Sequence, residues 1–312
     1  MEQMSDASLD AVFAKLATEL GPLETDPVRL DGGFTNRILR ARFGGGDYVV
    51  RLAGKDTRAL GIDRAAERDA TAAAARVGIG PEVAAFLPVE DVLVTRYIEG
   101  RPLRADEVAE PDVLADVAES LKMVHRGPRL RAKFSPFRIV DAYRVIVEEH
   151  GVSVGERYEQ AHGLAAEIEE RMVGPDHAPV LCHDDLLPAN LIDDGRRVRI
   201  VDWEYAGMGD RFFDLGSLSV HAGLDEGDDE WLLTAYWGEP PTARRFAALR
   251  LMRLMSDFHE AMWGLVQSAI APSSDFDYTR HGEEHFERFA EGAADPQVRR
   301  WLADMVSPHE RA

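Results

Sequence analysis

Cysteine is almost missing from this 312-residue chain: Cys182 stands alone, which rules out an internal disulfide and leaves stability to a packed core. Its apolar strand setting marks it as a buried thiol instead of a reactive one. Long apolar runs are missing too. Although 45% of residues are hydrophobic, no stretch approaches the roughly 18 that cross a bilayer, so a sizeable soluble core is expected and membrane insertion is not. Basic residues are in deficit, 36 against 56 acidic, for a formal net charge of −20. Such a field repels nucleic acid and attracts cations, while the same charge spread over a surface serves solubility. The opening MEQMSDASLDAVFAKLATEL lacks the basic flank and apolar centre of a secretory signal. It reads as an amphipathic helix over 8–20, and a cytoplasmic protein is expected. Internal repeats and low-complexity tracts are lacking as well, and the length allows one large domain or two lobes.

What the chain does contain is a dense run from Val180 to Leu215, VLCHDDLLPANLIDDGRRVRIVDWEYAGMGDRFFDL. Val180–Cys182 form a short apolar strand, Pro188 lies in the following loop, and Leu191-Ile192 begin a second strand, so His183–Asn190 should be an ordered turn. Asp193-Asp194-Gly195 is a hairpin signal, after which Val198, Ile200 and Val201 alternate into a strand that delivers Asp202 at its end. The pattern H-x-D-x-x-x-x-N followed by a second aspartate suits phosphoryl transfer. That reaction needs a carboxylate to accept the acceptor hydroxyl's proton, here Asp185, and oxygen ligands to hold Mg²⁺ on ATP, here Asn190 and Asp202. Each residue taken singly has a plainer reading as a turn cap or backbone brace, and it is their order that points to a kinase.

Upstream, strands over 36–43 and 48–52 pair across a glycine-rich turn, a helix runs from Ile62 to Val77, and strands at 82–86 and 92–96 complete a small sheet. Gly32 and Gly33 allow backbone N–H groups to approach phosphates, or serve simply as hairpin glycines. From Pro111 the pattern turns helical, with Val113, Leu114, Val117, Leu121 and Val124 at helical spacing up to His125.

HDDLLPAN at 183–190 and VDWEYAGMGDRFFDLGSLS at 201–219 closely resemble the bacterial branch of the choline and ethanolamine kinases, within the aminoglycoside phosphotransferase-like superfamily. LDGGFTN at 30–36, YVVRLAG at 48–54, GIGPEV at 78–83, VTRYIEGRPL at 94–103 and MWGLVQ at 262–267 look like further blocks in that family's order, from about Leu30 to about Phe289. The resemblance implies a two-lobed, protein kinase-like α+β fold. A small β-rich nucleotide-binding lobe would span 1–96, a hinge 97–104 that seats adenine, and a large mainly helical lobe 105–312. It also implies ATP and Mg²⁺ as cofactors. Gly33, Thr35 and Asn36 would form the phosphate loop, and Arg51 would hold phosphates where many kinases use lysine. Glu67 would pair with Arg51, or else be one solvated charge among Arg64, Arg68 and Asp69. His183 would brace the catalytic loop beside Asp185, Asp214 would hydrogen-bond nearby backbone, and Glu204 would add a metal, water or substrate contact.

The acceptor site is expected in the C-terminal helices. Trp263, Phe276 and Tyr278 supply ring faces of the kind that hold a quaternary ammonium, and Gln267 matches the family block. Trp263 packing among Phe258, Met262 and Val266 is the plainer reading. Where the eukaryotic choline kinases have a further tryptophan, this chain has Glu260, whose carboxylate would neutralise a primary amine or a more hydrophilic cation. The expected partner is therefore a small cationic hydroxylated molecule, with the protein a monomer or homodimer. An antibiotic phosphotransferase and a catalytically silent nucleotide- or amine-binding module are the alternatives. His281-Gly282-Glu283-Glu284-His285 fits H-x-x-E-H, but with no third ligand evident it reads as a coincidence on an acidic helix.

Overall fold

The computed structural model describes residues 6–30, 36–54, 57, 60–174, 177–271 and 276–305. Helix α1 (Asp6–Leu20) precedes the strands β1 (Val28–Arg29), β2 (Arg37–Phe43) and β3 (Gly46–Leu52). After helix α2 (Arg64–Arg76) come β4 (Val83–Leu87) and β5 (Val92–Arg96), giving one antiparallel sheet ordered β1-β2-β3-β5-β4. Period-two patterning explains its inner face: Leu39, Ala41 and Phe43 of β2 point inward, as do Tyr48, Val50 and Leu52 of β3. Val12, Phe13 and Leu16 of α1 close this core, with Phe13 stacked on Phe43 at 5.8 Å between ring centres. Helix α2 begins two residues later than expected. Asp63 accepts hydrogen bonds from the Ala65 and Ala66 amides and so caps the helix at that point.

The remainder is mostly helical. It runs through β6 (Arg101–Pro102), α3 (Ala105–Val108), α4 (Pro111–His125), α5 (Pro136–Glu149), α6 (Gly155–Met172), β7 (Val180–Cys182), β8 (Leu191–Asp193), β9 (Val198–Ile200) and β10 (Gly207–Gly209). Helices α7 (Arg211–His221), α8 (Glu226–Trp237), α9 (Ala243–Ile270), α10 (Tyr278–Ala293) and α11 (Gln297–Asp304) follow. The expected two-lobed α+β architecture is what forms. The 28-residue α9 is its spine, burying Met252, Met255, Phe258, Met262 and Val266 at helical spacing. Helix α10 lies against it at very close range: a Cβ on Gly264 would sit 2.8 Å from the Gly282 Cα. Only a pair of glycines permits that approach. No helix among the described residues is long and apolar enough to cross a membrane.

Two small sheets, β7 with β10 and β8 between β6 and β9, frame the loop that carries the motif residues. Gly195 takes φ 78° in the β8–β9 turn, as the hairpin signal predicts. Strand β9 stops at Ile200, short of Asp202, which instead adopts a left-handed φ of 68°. A non-glycine residue pays for that conformation with strain, and such residues concentrate at functional sites.

Candidate active site

The catalytic-type loop is held by its own backbone partners. The Asp214 carboxylate accepts from the His183 and Asp184 amides at 2.9 and 2.7 Å, and His125 Nε2 lies 2.9 Å from it. His183 is fully buried, which pushes its pKa below the ordinary histidine value and keeps the ring neutral. Its Nε2 donates to the Val201 carbonyl at 2.8 Å, so Nδ1 is the acceptor for the Asp185 amide at 3.2 Å. One imidazole thus ties Asp185 to the segment that presents Asp202. Asn190 Nδ2 donates to the Asp185 carbonyl at 3.0 Å, and the Val201 amide donates to the Asn190 carbonyl at 3.0 Å, so the three residues converge.

Asp185 faces a concentration of negative charge. Burial, then Glu260, Asp202 and Glu204, push its carboxyl well above the usual range, with Arg51 opposing.

Arg51, in β3, sits at the centre of a buried ionic network. Its guanidinium contacts Asp202 at 2.6 Å, Glu67 at 3.3 Å and Glu204 at 3.3 Å. Burial works against this charge, but the three carboxylates prevail and hold the guanidinium above its ordinary value. Glu67 is only 1% exposed, so it is a member of the network and not a solvated surface charge. Arg64 pairs with Glu67 at 2.6 Å and Glu204 at 3.1 Å, and donates to Asn36 Oδ1 at 2.6 Å. Asn36 in turn donates to Glu204 at 2.8 Å. Gly33 and Thr35 lie outside the described residues.

A cleft of about 420 Å³ opens between the sheet and the helical lobe beside this network. Ile38, Val49 and Leu93 line it on one side, Tyr97 and Ile98 at the connecting segment, and Asn190, Ile192 and Asp202 on the other. That volume is in the range of pockets for small organic ligands.

Rings gather near Asp185, with Tyr143 and Tyr205 within electrostatic reach of it. Trp263 Nε1 donates to Tyr205 Oη at 3.1 Å, and the Trp263 and Tyr278 rings meet edge to face at 5.4 Å. Phe276 lies 5.0 Å from Tyr278, and Tyr143 is fully buried with its hydroxyl donating to the Leu60 carbonyl at 3.2 Å. Gln267 is buried one turn beyond Trp263 on α9. Glu260 is buried as well, 3.3 Å from His259 and 3.1 Å from His281. Burial opposes its ionisation, yet those two hydrogen bonds win and hold the carboxyl well below the usual value.

The comparisons with known proteins concern the fold and the family. Residues 27–249 match the model of the phosphotransferase enzyme family. The solved structure of a choline/ethanolamine kinase family protein from Mesorhizobium loti is 31% identical, with a TM-score of 0.77 over 95% of this chain and 98% of that one. The chain belongs to the choline/ethanolamine kinase family. This kinase is also similar to Protein LicA of Haemophilus influenzae, 27% identical over 209 residues that cover 66% of the kinase and 61% of LicA. Ethanolamine kinase 2 of Rattus norvegicus is 25% identical over 317 residues, covering 89% of the kinase and 78% of the rat protein. The two-lobed, protein kinase-like fold and the phosphotransferase class expected from sequence both stand.

Sequence reasoning missed Arg64, Tyr143 and Tyr205 in this kinase. Arg64 stands three residues before Glu67 at a helix start, a spacing at which side chains meet, and that was its available signal. Tyr205 sits inside the motif run, three residues after Asp202, while Tyr143 is recruited by tertiary packing and carries no local sign.

Proposed function

We propose that this kinase transfers the γ-phosphoryl group of ATP to the hydroxyl of a small cationic amino alcohol of the choline or ethanolamine kind, with Mg²⁺ as the assisting ion. The observation that carries the reading is that Asp185 is tied through Asn190 to the cleft lined by Arg51, Asn190 and Asp202, while Tyr143, Tyr205 and Glu260 stand within electrostatic reach of its carboxylate. Asn190 and Asp202 are hard oxygen donors from adjoining segments, one amide and one carboxylate, and fit a Mg²⁺ site completed by phosphates and water. Bound there, the ion would neutralise charge on the β- and γ-phosphates. Arg51, positioned by Glu67 and Glu204, supplies planar donors to the phosphates. Asp185 accepts the acceptor's hydroxyl proton as the oxygen–phosphorus bond forms and the bond to the ADP oxygen breaks. Its raised pKa makes the ionised carboxylate a stronger base than an ordinary aspartate.

The acceptor's cationic end meets Tyr205, Trp263 and Tyr278, whose ring faces attract a cation that cannot donate hydrogen bonds. Glu260 is held by His259 and His281, and the His281 ring packs against Trp263 and Phe276. The similarity to an ethanolamine kinase and to a choline/ethanolamine kinase family protein supports the same class of acceptor. The test is ATP consumption with choline, ethanolamine, amino sugars and aminoglycosides. Stimulation by choline or ethanolamine is the expected result; stimulation by aminoglycosides alone, or by none of the panel, would overturn the reading.

A further inference from the structure

The H-x-x-E-H segment of α10 acquires in three dimensions the ligand it lacks in sequence. Helix α10 crosses α9 at the Gly264–Gly282 contact, and this sets His281 and His285 over Glu260. One ligand atom from each of His281, His285 and Glu260 lies within 4.8 Å of the others, and the pair His281 Nε2 and Glu260 Oε2 is 3.1 Å apart. In a tetrahedral site with bonds of about 2.1 Å, ligand atoms stand about 3.4 Å apart, so atoms within 4.8 Å of one another close on an ion by at most about 1.4 Å.

Two further features point to an ion. His221 reaches in from α7 with its side chain 9% exposed; its Nε2 is buried without a hydrogen-bond partner and stops 4.0 Å from Glu260 Oε1. The trio is also backed in the way metal ligands are backed. His285 Nδ1 is 2.9 Å from Asp257, which leaves Nε2 as the nitrogen for a ligand, and Arg288 anchors Asp257 at 3.2 Å. His259 holds the other Glu260 oxygen. A second such cluster among the described residues, His125, Cys182 and Asp214, differs. There the Asp214 oxygens take two backbone amides and the His125 nitrogens face Tyr236 and Asp214, so its polar atoms are already employed.

We propose that His281, His285 and Glu260, completed by His221, bind one transition-metal ion of the Zn²⁺ class. Nitrogen-rich donors of this type select Zn²⁺, Ni²⁺ or Co²⁺ over Mg²⁺. Four protein ligands make it a closed structural site, and it staples α7, α9 and α10 behind the rings of the acceptor pocket. It stands apart from the Asn190 and Asp202 donor set and does not depend on the identity of the acceptor.

The test uses untagged full-length protein, stripped with a chelator and reloaded with Zn²⁺ or Co²⁺. Expected are one Zn²⁺ per chain by elemental analysis and the intense visible bands of four-coordinate Co²⁺. His285→Ala should weaken Zn²⁺ by more than about 100-fold, and Asp257→Asn by about 10- to 100-fold. Wild-type protein that takes up no stoichiometric Zn²⁺, or gives only the weak Co²⁺ bands of six-coordinate water complexes, overturns the site. So does a folded His281→Ala or His285→Ala variant with unchanged affinity, folding being checked by circular dichroism.

Discussion

Arg51 and Asp202 grip each other across the cleft, Nη2 to Oδ1 at 2.6 Å, so the cation that would meet phosphates is already matched to the acid that would meet Mg²⁺. Removing Arg51 takes away the cation that Asp202, Glu67 and Glu204 share, while Arg64 stays paired with the last two. Arg51→Ala should cost about 3–5 kcal/mol of stability, the usual penalty for breaking a buried ion pair from one side. Denaturant unfolding measures it. A midpoint equal to wild type would show that the network carries no structural weight. Asp202→Asn keeps the shape but loses the charge, and should impair Mg-ATP binding together with turnover; unchanged metal dependence would argue against the ligand role.

Asp185→Asn should lower turnover by on the order of 10²–10⁴ while ATP affinity persists. Stability should move the other way. The folded protein holds the Asp185 proton more tightly than the unfolded chain does, because burial and neighbouring carboxylates raise its pKa. Ionisation therefore costs the native state progressively as pH climbs from about 3.9 toward that raised value. At pH 7 the asparagine variant escapes this cost and should melt higher, and the gap should close near pH 4. Equal melting temperatures at pH 7 would mean that the carboxylate is not disfavoured in the fold.

The same shift fixes the acidic limb of the rate profile. A base must be ionised to act, so kcat/KM should be full above the raised Asp185 pKa and fall as pH drops through it. The inflection should lie clearly above the ordinary aspartate value of about 3.9. A limb at that ordinary value would remove Asp185 from the role of base.

Legibility from sequence followed range. The Asp185–Asn190 loop and the β8–β9 turn are local, and their spacing alone predicts them. Arg51 and Glu67 were legible only by family likeness, since nothing near Glu67 in sequence separates it from Arg68 and Asp69, both of which lie on the outside. Glu260 shows the limit more sharply. A carboxylate at that position suggests an amine partner, yet its neighbours are His259 beside it, His281 one helix away and His221 from another. Those contacts arise from how α7, α9 and α10 pack, which no window along the chain contains. The left-handed φ of Asp202 was equally hidden, because a strand ending at that residue and one ending two residues earlier read alike.

The glycine contact between α9 and α10 should separate acceptor binding from nucleotide binding. A methyl group on Gly264 would meet Gly282 Cα and the Tyr278 carbonyl, each at 2.8 Å, and both are backbone that cannot swing aside. Gly264→Ala should therefore cost about 1–3 kcal/mol and displace Tyr278 from Trp263. Steady-state kinetics should show KM for the acceptor rising and KM for ATP nearly constant. A matching rise in both would place the disturbance outside the ring pocket.

Replacing Trp263 should separate the two proposed acceptors. Its ring is fixed from both sides, by the hydrogen bond to Tyr205 and the edge-to-face contact with Tyr278, so it offers a preformed face and not a flexible one. A quaternary ammonium depends on such faces because it has no N–H to donate, and losing one desolvated cation–π contact is worth about 0.5–2 kcal/mol. Trp263→Leu, which keeps bulk but removes the quadrupole, should raise KM for choline by roughly 2- to 30-fold, since 1.4 kcal/mol is about tenfold. A primary ammonium can still donate to the Tyr205 hydroxyl, so KM for ethanolamine should rise less. If the leucine variant penalises both acceptors equally, Trp263 is a packing residue in α9; if it penalises neither, the cation is held elsewhere.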